Sequence, residues 1–414
     1  MSSENGAAGA AKPKYQNAVV VGLVLLLVGL SIALAQYKAS SLLTTLAEYF
    51  TLSGSMASWI MSIFTFVGIF LAFPAGGAIE KFGFKKTMIV SSGLIVVGGL
   101  IGVAAYGTIN GIVLIASRAV EGIALTFITT AAPVAINKCV DPKNVGLATG
   151  LWGCWGNGGA VLAGVLTPQV FEMAGFNGVW IGYAIAAAVV AVIFAVVIRE
   201  PKGEAPIAEQ IEEAAAPVEA PVKMGFKDLL TKDVILFQLS FAIFNIIMLA
   251  LLGLLPTVLQ LPVKGFSLSA SSMASIVPSL LALISCPVGG IIADKLGKTK
   301  PILLITFTVL GPCLAVMYIF TGVPFWIAAV ILGLVGFAST GLLINGWLQI
   351  IPHPSLVAKG MGLLTFVQCV GQFLGTFFIQ ILLGSDYSNF VFAGVVLCCL
   401  GLCGVVCLVF TKMK

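Results

Sequence analysis

Long apolar runs fill most of the chain, and short polar segments separate them. A run of about 20 apolar residues is long enough for an α-helix to cross the hydrocarbon core of a bilayer. We therefore expect an all-α membrane protein with twelve transmembrane helices in two pseudo-symmetric six-helix bundles. The predicted helices lie at roughly 16–37, 56–79, 87–106, 109–136, 145–168, 177–198, 234–259, 270–293, 301–321, 324–350, 357–383 and 388–411.

One polar stretch, after the sixth run, divides the apolar part of the chain into two. Its sequence EAPIAEQIEEAAAPVEAPV is rich in Ala, Pro and Glu and lacks a core-forming pattern, which predicts a flexible linker. The segment GFKDLLTKD that follows fits a short helix lying on the membrane surface. The predicted organisation is an N-terminal tail at 1–15, a bundle at 16–198, a linker at 199–233, a bundle at 234–411 and a tail at 412–414.

Composition supports a membrane location, and charge predicts the orientation. Hydrophobic residues make up 59% of the chain and charged residues 9%, whereas a soluble protein needs about a quarter charged. Of the 21 Lys and Arg residues, we expect Lys38 and Lys264 in outer loops and Arg118 within a helix, which leaves 18 on the inner side. Because positive charge collects in the cytoplasm, the linker and both termini are predicted to be cytoplasmic. The first run is long and lacks a small-residue cleavage site, so we interpret it as a retained helix of a cell-membrane protein rather than a signal peptide.

The two halves of the chain repeat each other. PAGGAIEKFGFKK begins at Pro74 and VGGIIADKLGKTK begins at Val288, and a shift of 214 residues aligns them. Duplicated halves around a central path are a common basis of alternating access in secondary transporters. The repeated loop motif comprises Gly76, Glu80, Lys81, Gly83, Lys85 and Lys86 in the first copy, and Gly290, Asp294, Lys295, Gly297, Lys298 and Lys300 in the second.

This doubled motif resembles the Gly-x-x-x-Asp-Arg/Lys-x-Gly-x-Arg/Lys-Arg/Lys loop of the major facilitator superfamily. The first copy departs from the pattern because Glu80 stands where the family has Asp. The resemblance spans the chain outside the tail and linker, and it implies a transporter whose loop acids latch the two conformations. An acid at this point can approach the positive N-terminus of a helix from the other half. The alternative is that the loops only fix the topology.

Two charged residues are predicted inside the fourth helix, in the segment SRAVEGIA. Arg118 lies about nine residues from the predicted outer end, or roughly 14 Å along the helix, close to the middle of the bilayer. A charge at that depth usually faces a cavity or a partner, and the i, i+3 spacing allows Glu121 to pair with Arg118. The family often has Arg-x-x-Gln-Gly here. Two interpretations stay open: the pair binds an anionic group or couples a proton, or it is a structural ion pair.

Other polar residues are predicted at similar depth, and as a set they fit a cavity for a polar solute. Each alone is typical of contacts between helices. The segment WGNGG in the fifth helix resembles the nitrate/nitrite branch of the family, but that branch uses arginines in helices 2 and 8 and this chain has none there. Drug antiporters of the family usually carry Gly-Pro in this helix, which is also missing. The set comprises Trp155, Asn157, Asn245, Gln368 and Gln372.

These observations predict a secondary active transporter that moves a small solute, with an organic anion as one candidate, by ion or proton coupling or by exchange. The alternatives are a drug or metabolite exporter, a nitrate/cyanate-type anion transporter, and a channel or substrate sensor on the same fold. The sequence has no phosphate-binding loop of the Walker kind and no catalytic constellation, so we expect no enzyme, cofactor, metal or nucleic-acid partner. The expected partners are the solute, a coupling ion and the lipid bilayer, with the chain acting as a monomer.

Overall fold

The computed structural model describes residues 15–200, 226–353, 356–384 and 386–413. Most of the predicted linker lies outside this range, as do the side chains of Glu80 and Asp294. The described residues are almost entirely helical, with one isolated bridge between Gln16 and Val140. The helices are α1 Ala18–Ser41, α2 Leu43–Tyr49, α3 Gly54–Phe82, α4 Phe84–Thr108, α5 Gly111–Cys139, α6 Val145–Gly153, α7 Trp155–Val197, α8 Phe226–Leu229, α9 Lys232–Leu249, α10 Leu255–Leu259, α11 Leu268–Leu296, α12 Lys300–Ile319, α13 Val323–Leu334, α14 Ser339–Ile350, α15 Val357–Leu383 and α16 Phe390–Phe410.

Polar caps determine where several of the apolar helices begin. The Asn17 side chain accepts hydrogen bonds from the backbone N–H groups of Val19 and Val20, and so starts α1. Asn110 and Thr231 cap α5 and α9 in the same way. Such side chains satisfy N–H groups that have no partner within the helix. A polar residue directly before an apolar run therefore starts the helix close to the point where the run begins.

The segment Val145–Val197 crosses the membrane twice. Within the described residues, eleven apolar segments are long enough to span a bilayer, and this one has 53 residues. Its backbone leaves the helical region at Gly175, where φ is 62°. The hydroxyls of Thr167 and Tyr183 lie 2.8 Å apart, although 16 residues of straight helix would separate them by about 24 Å. The chain thus folds back at Gly175, and the eleven segments give twelve passes, in agreement with the twelve predicted helices.

Three predicted helices differ from the structure. Helix α1 continues to Ser41, beyond its predicted end at residue 37. The predicted helix 234–259 contains a π-helical turn, Ala250–Leu254, just before Pro256. The predicted helix 324–350 is broken by a 3-10 turn at Gly336–Ala338. Proline lacks the N–H that would continue the helical hydrogen bonds, which explains the irregular turn ahead of Pro256.

The two halves of the chain meet along two helix pairs. Helix α3 packs against α15, and α7 packs against α11. Within the first half, α1 packs on the first pass of α7, and α4 packs on α5. Counted by membrane passes, each half contributes its second and its fifth pass to the contact. The internal repeat therefore places equivalent helices at both sides of the interface between the halves.

Candidate functional site

Arg118 and Glu121 lie on α5 and form the ion pair that their spacing predicts. Both side chains are fully buried, and an Arg118 Nη1 to Glu121 Oε2 distance of 2.5 Å joins them. Because α5 begins at Gly111, Arg118 is seven residues, or roughly 10 Å, from the helix end. It is therefore shallower than the predicted 14 Å.

Lys38 joins this pair, and its predicted position in an outer loop is wrong. The residue lies within α1 and is 1% exposed, and its Nζ is 2.5 Å from Glu121 Oε1. The ammonium also lies over the Trp180 ring, 4.5 Å from the ring centroid. A buried lysine is tolerated when a carboxylate and hydrogen bonds offset the loss of hydration. That partner comes from another helix, so the apolar run alone gave no sign that α1 would continue past Lys38.

The guanidinium of Arg118 ties three helices together. Its nitrogens donate to the backbone oxygens of Ala35 and Gln36 on α1, at 2.5 and 2.8 Å, and to that of Ile60 on α3, at 3.3 Å. The Phe64 ring covers the group, with the ring centroid 4.5 Å from Cζ. The guanidinium therefore faces the interior of the first half in this conformation, and it fixes one face of α1.

Two glycines of α4 make room for this cluster. A Cβ at Gly98 would lie 2.5 Å from Glu121 Cγ, and one at Gly102 would lie 2.2 Å from the Trp180 ring. Any larger residue would push the carboxylate or the ring away from Lys38. We name Lys38, Arg118 and Glu121 the buried triad. In the described part of the chain these are the buried charged residues, so with all three groups ionised the triad has a net charge of +1.

A row of amide side chains connects the two halves on the other side of α1. Gln36 Nε2 donates to Gln372 Oε1 at 3.3 Å, and Gln372 Nε2 lies 3.5 Å from Asn245 Oδ1. Asn245 in turn donates to the Phe241 carbonyl oxygen at 2.9 Å. We call Gln36, Gln372 and Asn245 the amide row. The structure thus brings together two of the predicted residues, and it adds Gln36, whose place in a long apolar run was the available signal.

The remaining predicted residues lie outside the amide row. Asn157 is buried, and its Oδ1 has no hydrogen-bond partner among the described residues. Trp155 is half-buried and stacks on Trp152 at a centroid distance of 5.7 Å. Gln368 is half-buried on α15, one turn before Gln372. No hydrogen bond within the described ranges joins Trp155, Asn157 or Gln368 to the row.

The halves are closed at the end where α1 finishes. Ser40 Oγ donates to the carbonyl oxygens of Leu252 and Gly253 in the π-helical turn. Thr44 Oγ1 contacts Gln260 Oε1 at 2.9 Å, and Gln260 Nε2 donates to the Ser41 carbonyl oxygen at 3.3 Å. We name these contacts, together with the Gln36 to Gln372 bond, the seam. A small cavity beside it is lined by residues that include Tyr37, Ser40, Ser41, Gly164, Pro256 and Ser275.

The opposite end of the fifth pass is open. Gly146, Gly150 and Gly153 lie on one face of α6, and a Cβ added at any of them would have no atom within 4 Å. Their side of α6 is exposed. This end adjoins the lysine-rich loops that charge predicts to be cytoplasmic. The fifth pass therefore has an open glycine face at that end, whereas α1 and α9 are joined at the end that carries the seam.

The two copies of the loop motif have matching backbones. Gly83 ends α3 with φ +81° and ψ 154°, and Gly297 follows α11 with φ +61°. The lysines Lys81, Lys86, Lys295 and Lys298 are exposed and Lys85 is half-buried. Lys300 donates to the carbonyl oxygens of Val409 and Thr411, at 2.9 and 2.8 Å, and so caps the last helix. Gly76 and Gly290 have open space where a Cβ would be. The latch role of Glu80 and Asp294 stays a prediction.

Comparison with known proteins places the chain in a family. The family model described as Major Facilitator Superfamily matches residues 25–376, which is most of the chain. No individually curated protein matches it. The family match, the helical architecture and the membrane-spanning segments agree with the resemblance seen in the repeated loop motif. The chain belongs to the major facilitator superfamily and is a multi-pass membrane transporter for small molecules, with the twelve-helix fold of that family.

Proposed function

We propose that this transporter is a secondary active carrier that moves a small organic anion across the cell membrane by alternating access. The observation that carries the proposal is the net positive charge of the buried triad. Moving an isolated ion out of water is costly by several kcal/mol, so an extra buried cation needs compensation. A transported anion bound nearby supplies it, and this favours an anionic substrate over a neutral one.

Helix α1 links the triad to the interface between the halves. One face of α1 accepts hydrogen bonds from Arg118 at Ala35 and Gln36. The other face contributes Gln36 and Ser40 to the seam. In our proposal, the substrate enters from the open end and meets the amide row. Asn157, Trp155 and Gln368 then complete the binding surface as the halves rock.

Amide side chains suit a carboxylate because they offer N–H donors to its oxygens and an acceptor to a hydroxyl or amine elsewhere on the solute. The unpartnered oxygens of Gln36 and Asn157 are such acceptors in the assigned amide orientation. A hydroxylated or amino-bearing carboxylate would satisfy both kinds of group. This chemistry distinguishes the proposal from a simple inorganic anion such as nitrate, which offers no donor.

The orientation is part of the proposal. We place both termini and the 199–233 linker in the cytoplasm, because the lysine-rich loops lie at the open end. Protease added to right-side-out vesicles should leave the linker intact, and protease added to inverted vesicles should cut it. Cleavage in the right-side-out preparation would reverse the assignment.

The substrate class is tested with purified protein in two steps. Thermal unfolding is measured with acetate, lactate, malonate, nitrate, glucose, alanine and a cationic dye, because a ligand that binds the folded state raises its stability. Solutes that shift the midpoint are then tested for uptake into proteoliposomes. We expect a carboxylate to stabilise the protein and to show saturable uptake at carrier rates. Stabilisation by the dye alone would favour an exporter, nitrate alone an inorganic anion transporter, and unsaturable flux a channel.

A further inference from the structure

The buried triad contains one proton more than its charges require. Arg118 and Glu121 cancel each other, and Lys38 adds the remaining positive charge. A guanidinium stays protonated in proteins, whereas a lysine amine gives up its proton readily when buried. Lys38 is therefore the member of the triad whose cationic charge can be removed. With Lys38 neutral the triad is balanced, and with Lys38 charged it calls for an anion.

The surroundings of Lys38 limit which other groups could supply or remove that charge. Helix α5 presents Arg118 and Glu121 to it, and the second pass of α7 presents the Trp180 ring. Helix α4 packs Gly98 and Gly102 around the same cluster. Within the described residues, Arg118 and Glu121 are thus the charged groups that face Lys38. A proton on Lys38 is accordingly balanced by an anion from outside the protein or by none.

The interface between the halves lies one helix away from Lys38. Its neighbours Tyr37 and Ser40 line the small cavity beside the seam, and a helix is about 10–12 Å across. At roughly 10 Å and an effective dielectric constant of about 20, the attraction of two unit charges corresponds to about a tenfold change in affinity. Coupling between two sites is reciprocal. An anion bound at the interface would thus favour the protonated Lys38 by the same factor.

We propose that Lys38 is the proton-carrying residue of this transporter, so that one proton crosses on its amine with each monocarboxylate. The inference rests on the proposed transport of an organic anion and identifies its coupling site. The amine lone pair of Nζ takes a proton from water on the loading side, and the N–H bond breaks on the release side, where water accepts the proton. Loading is thus neutral overall: one proton and one anion enter a triad that was balanced before.

The experiment compares two modes of transport in proteoliposomes that contain purified protein. Radiolabelled acetate, lactate and malonate are the probes, and each is measured both as net uptake driven by an inward proton gradient and as exchange at equal pH. We expect Lys38→Met to lose net proton-driven uptake by at least tenfold while keeping exchange, because exchange needs no cycle of protonation. Net uptake of acetate or lactate by the wild type should not respond to an imposed membrane potential, whereas residual uptake by Lys38→Met should.

Lys264→Met is the matched control. Lys264 is a half-buried lysine near the closed end, where its Nζ donates to the Ile319 carbonyl oxygen at 2.6 Å and lies over the Phe390 ring. It loses the same charge and volume but stands apart from the triad. We expect its proton-driven uptake to equal that of the wild type.

Several outcomes would overturn the role of Lys38. Proton-driven uptake by Lys38→Met at the wild-type level is one, and loss of its exchange in folded protein is another, because that would make Lys38 a binding residue. If Lys38→Met does not fold, Lys38→Arg decides, since a guanidinium keeps its charge: exchange alone supports the proposal, and proton-driven uptake contradicts it. Failure of the wild type to move any of the three probes would instead refute anion transport, and the role of Lys38 with it.

Discussion

The two halves of the protein share a repeat but stabilise their interiors differently. The first half contains the buried triad, which joins α1, α5 and α3 through ion pairs and hydrogen bonds to carbonyl oxygens. In the second half, no charged residue is buried among those the structure describes. Its corresponding passes instead have irregular backbones, at Ala250–Leu254 and Gly336–Ala338.

These differences fall at equivalent positions. The shift of 214 residues pairs Lys38 with Leu252, inside the π-helical turn, and Glu121 with Val335, directly before the 3-10 turn. Irregular turns within helices often mark functional or mobile sites. The comparison indicates that the first half is held by a compact cluster of charges, whereas the second half has points where its helices can bend. Each half can then contribute differently to the same rocking motion.

Removing the single carboxylate should produce the largest effect. Glu121→Gln leaves Lys38 and Arg118 buried together without a counter-ion, and breaking a buried pair costs about 3–5 kcal/mol. Arg118→Gln and Lys38→Met each leave one balanced pair, so we expect a smaller loss of stability. Arg118→Gln should be the worse of the two because three carbonyl oxygens lose their donor, and both it and Arg118→Lys should abolish transport. Thermal unfolding in detergent measures the order Glu121, Arg118, Lys38, and a different order would show that charge does not dominate the triad.

The glycines of the repeated loops give the next largest effect. Gly83→Ala should cost about 1–3 kcal/mol, because its backbone region is essentially restricted to glycine and a Cβ would lie 2.6 Å from Glu200 Oε1. Gly297→Ala should cost about 1–2 kcal/mol for its positive φ alone. Gly76→Ala is the control, since Gly76 is helical and has open space around it. Equal unfolding midpoints for Gly83→Ala and Gly76→Ala would contradict the backbone argument.

The amide row should matter for transport more than for stability. Gln372→Leu removes the link between Gln36 and Asn245, and a typical net hydrogen bond contributes about 1 kcal/mol. We expect uptake of a transported carboxylate to fall at least tenfold, with only a small change in the unfolding midpoint. Gln380→Leu is the matched control on the same helix, because Gln380 bonds to Tyr387 within its own half. Normal uptake by Gln372→Leu would remove the amide row from the proposed site.

The loop acids should have the smallest effect on stability. Glu80→Gln and Asp294→Asn keep the size of each side chain and remove its charge, so unfolding should hardly change. If the loops are latches, transport by the double variant should fall, and the two single variants should fall by similar factors because the repeat makes them equivalent. Wild-type transport by the double variant would reduce both motifs to signals for topology.

The sequence by itself determined the twelve passes, their approximate limits and the family. Apolar run length is a local property, and an α-helix satisfies its backbone within one segment, so lipid leaves few alternatives. The Arg118 to Glu121 pair was equally local, because three residues along one helix bring two side chains together. Chain folding decided what lies between helices. Lys38 was taken for a loop residue because its carboxylate partner is 83 residues away, and Gln36 drew no attention because its partner lies on α15. The sequence contains these contacts only through the packing of helices, and a one-dimensional pattern of apolar and polar residues does not record which faces meet.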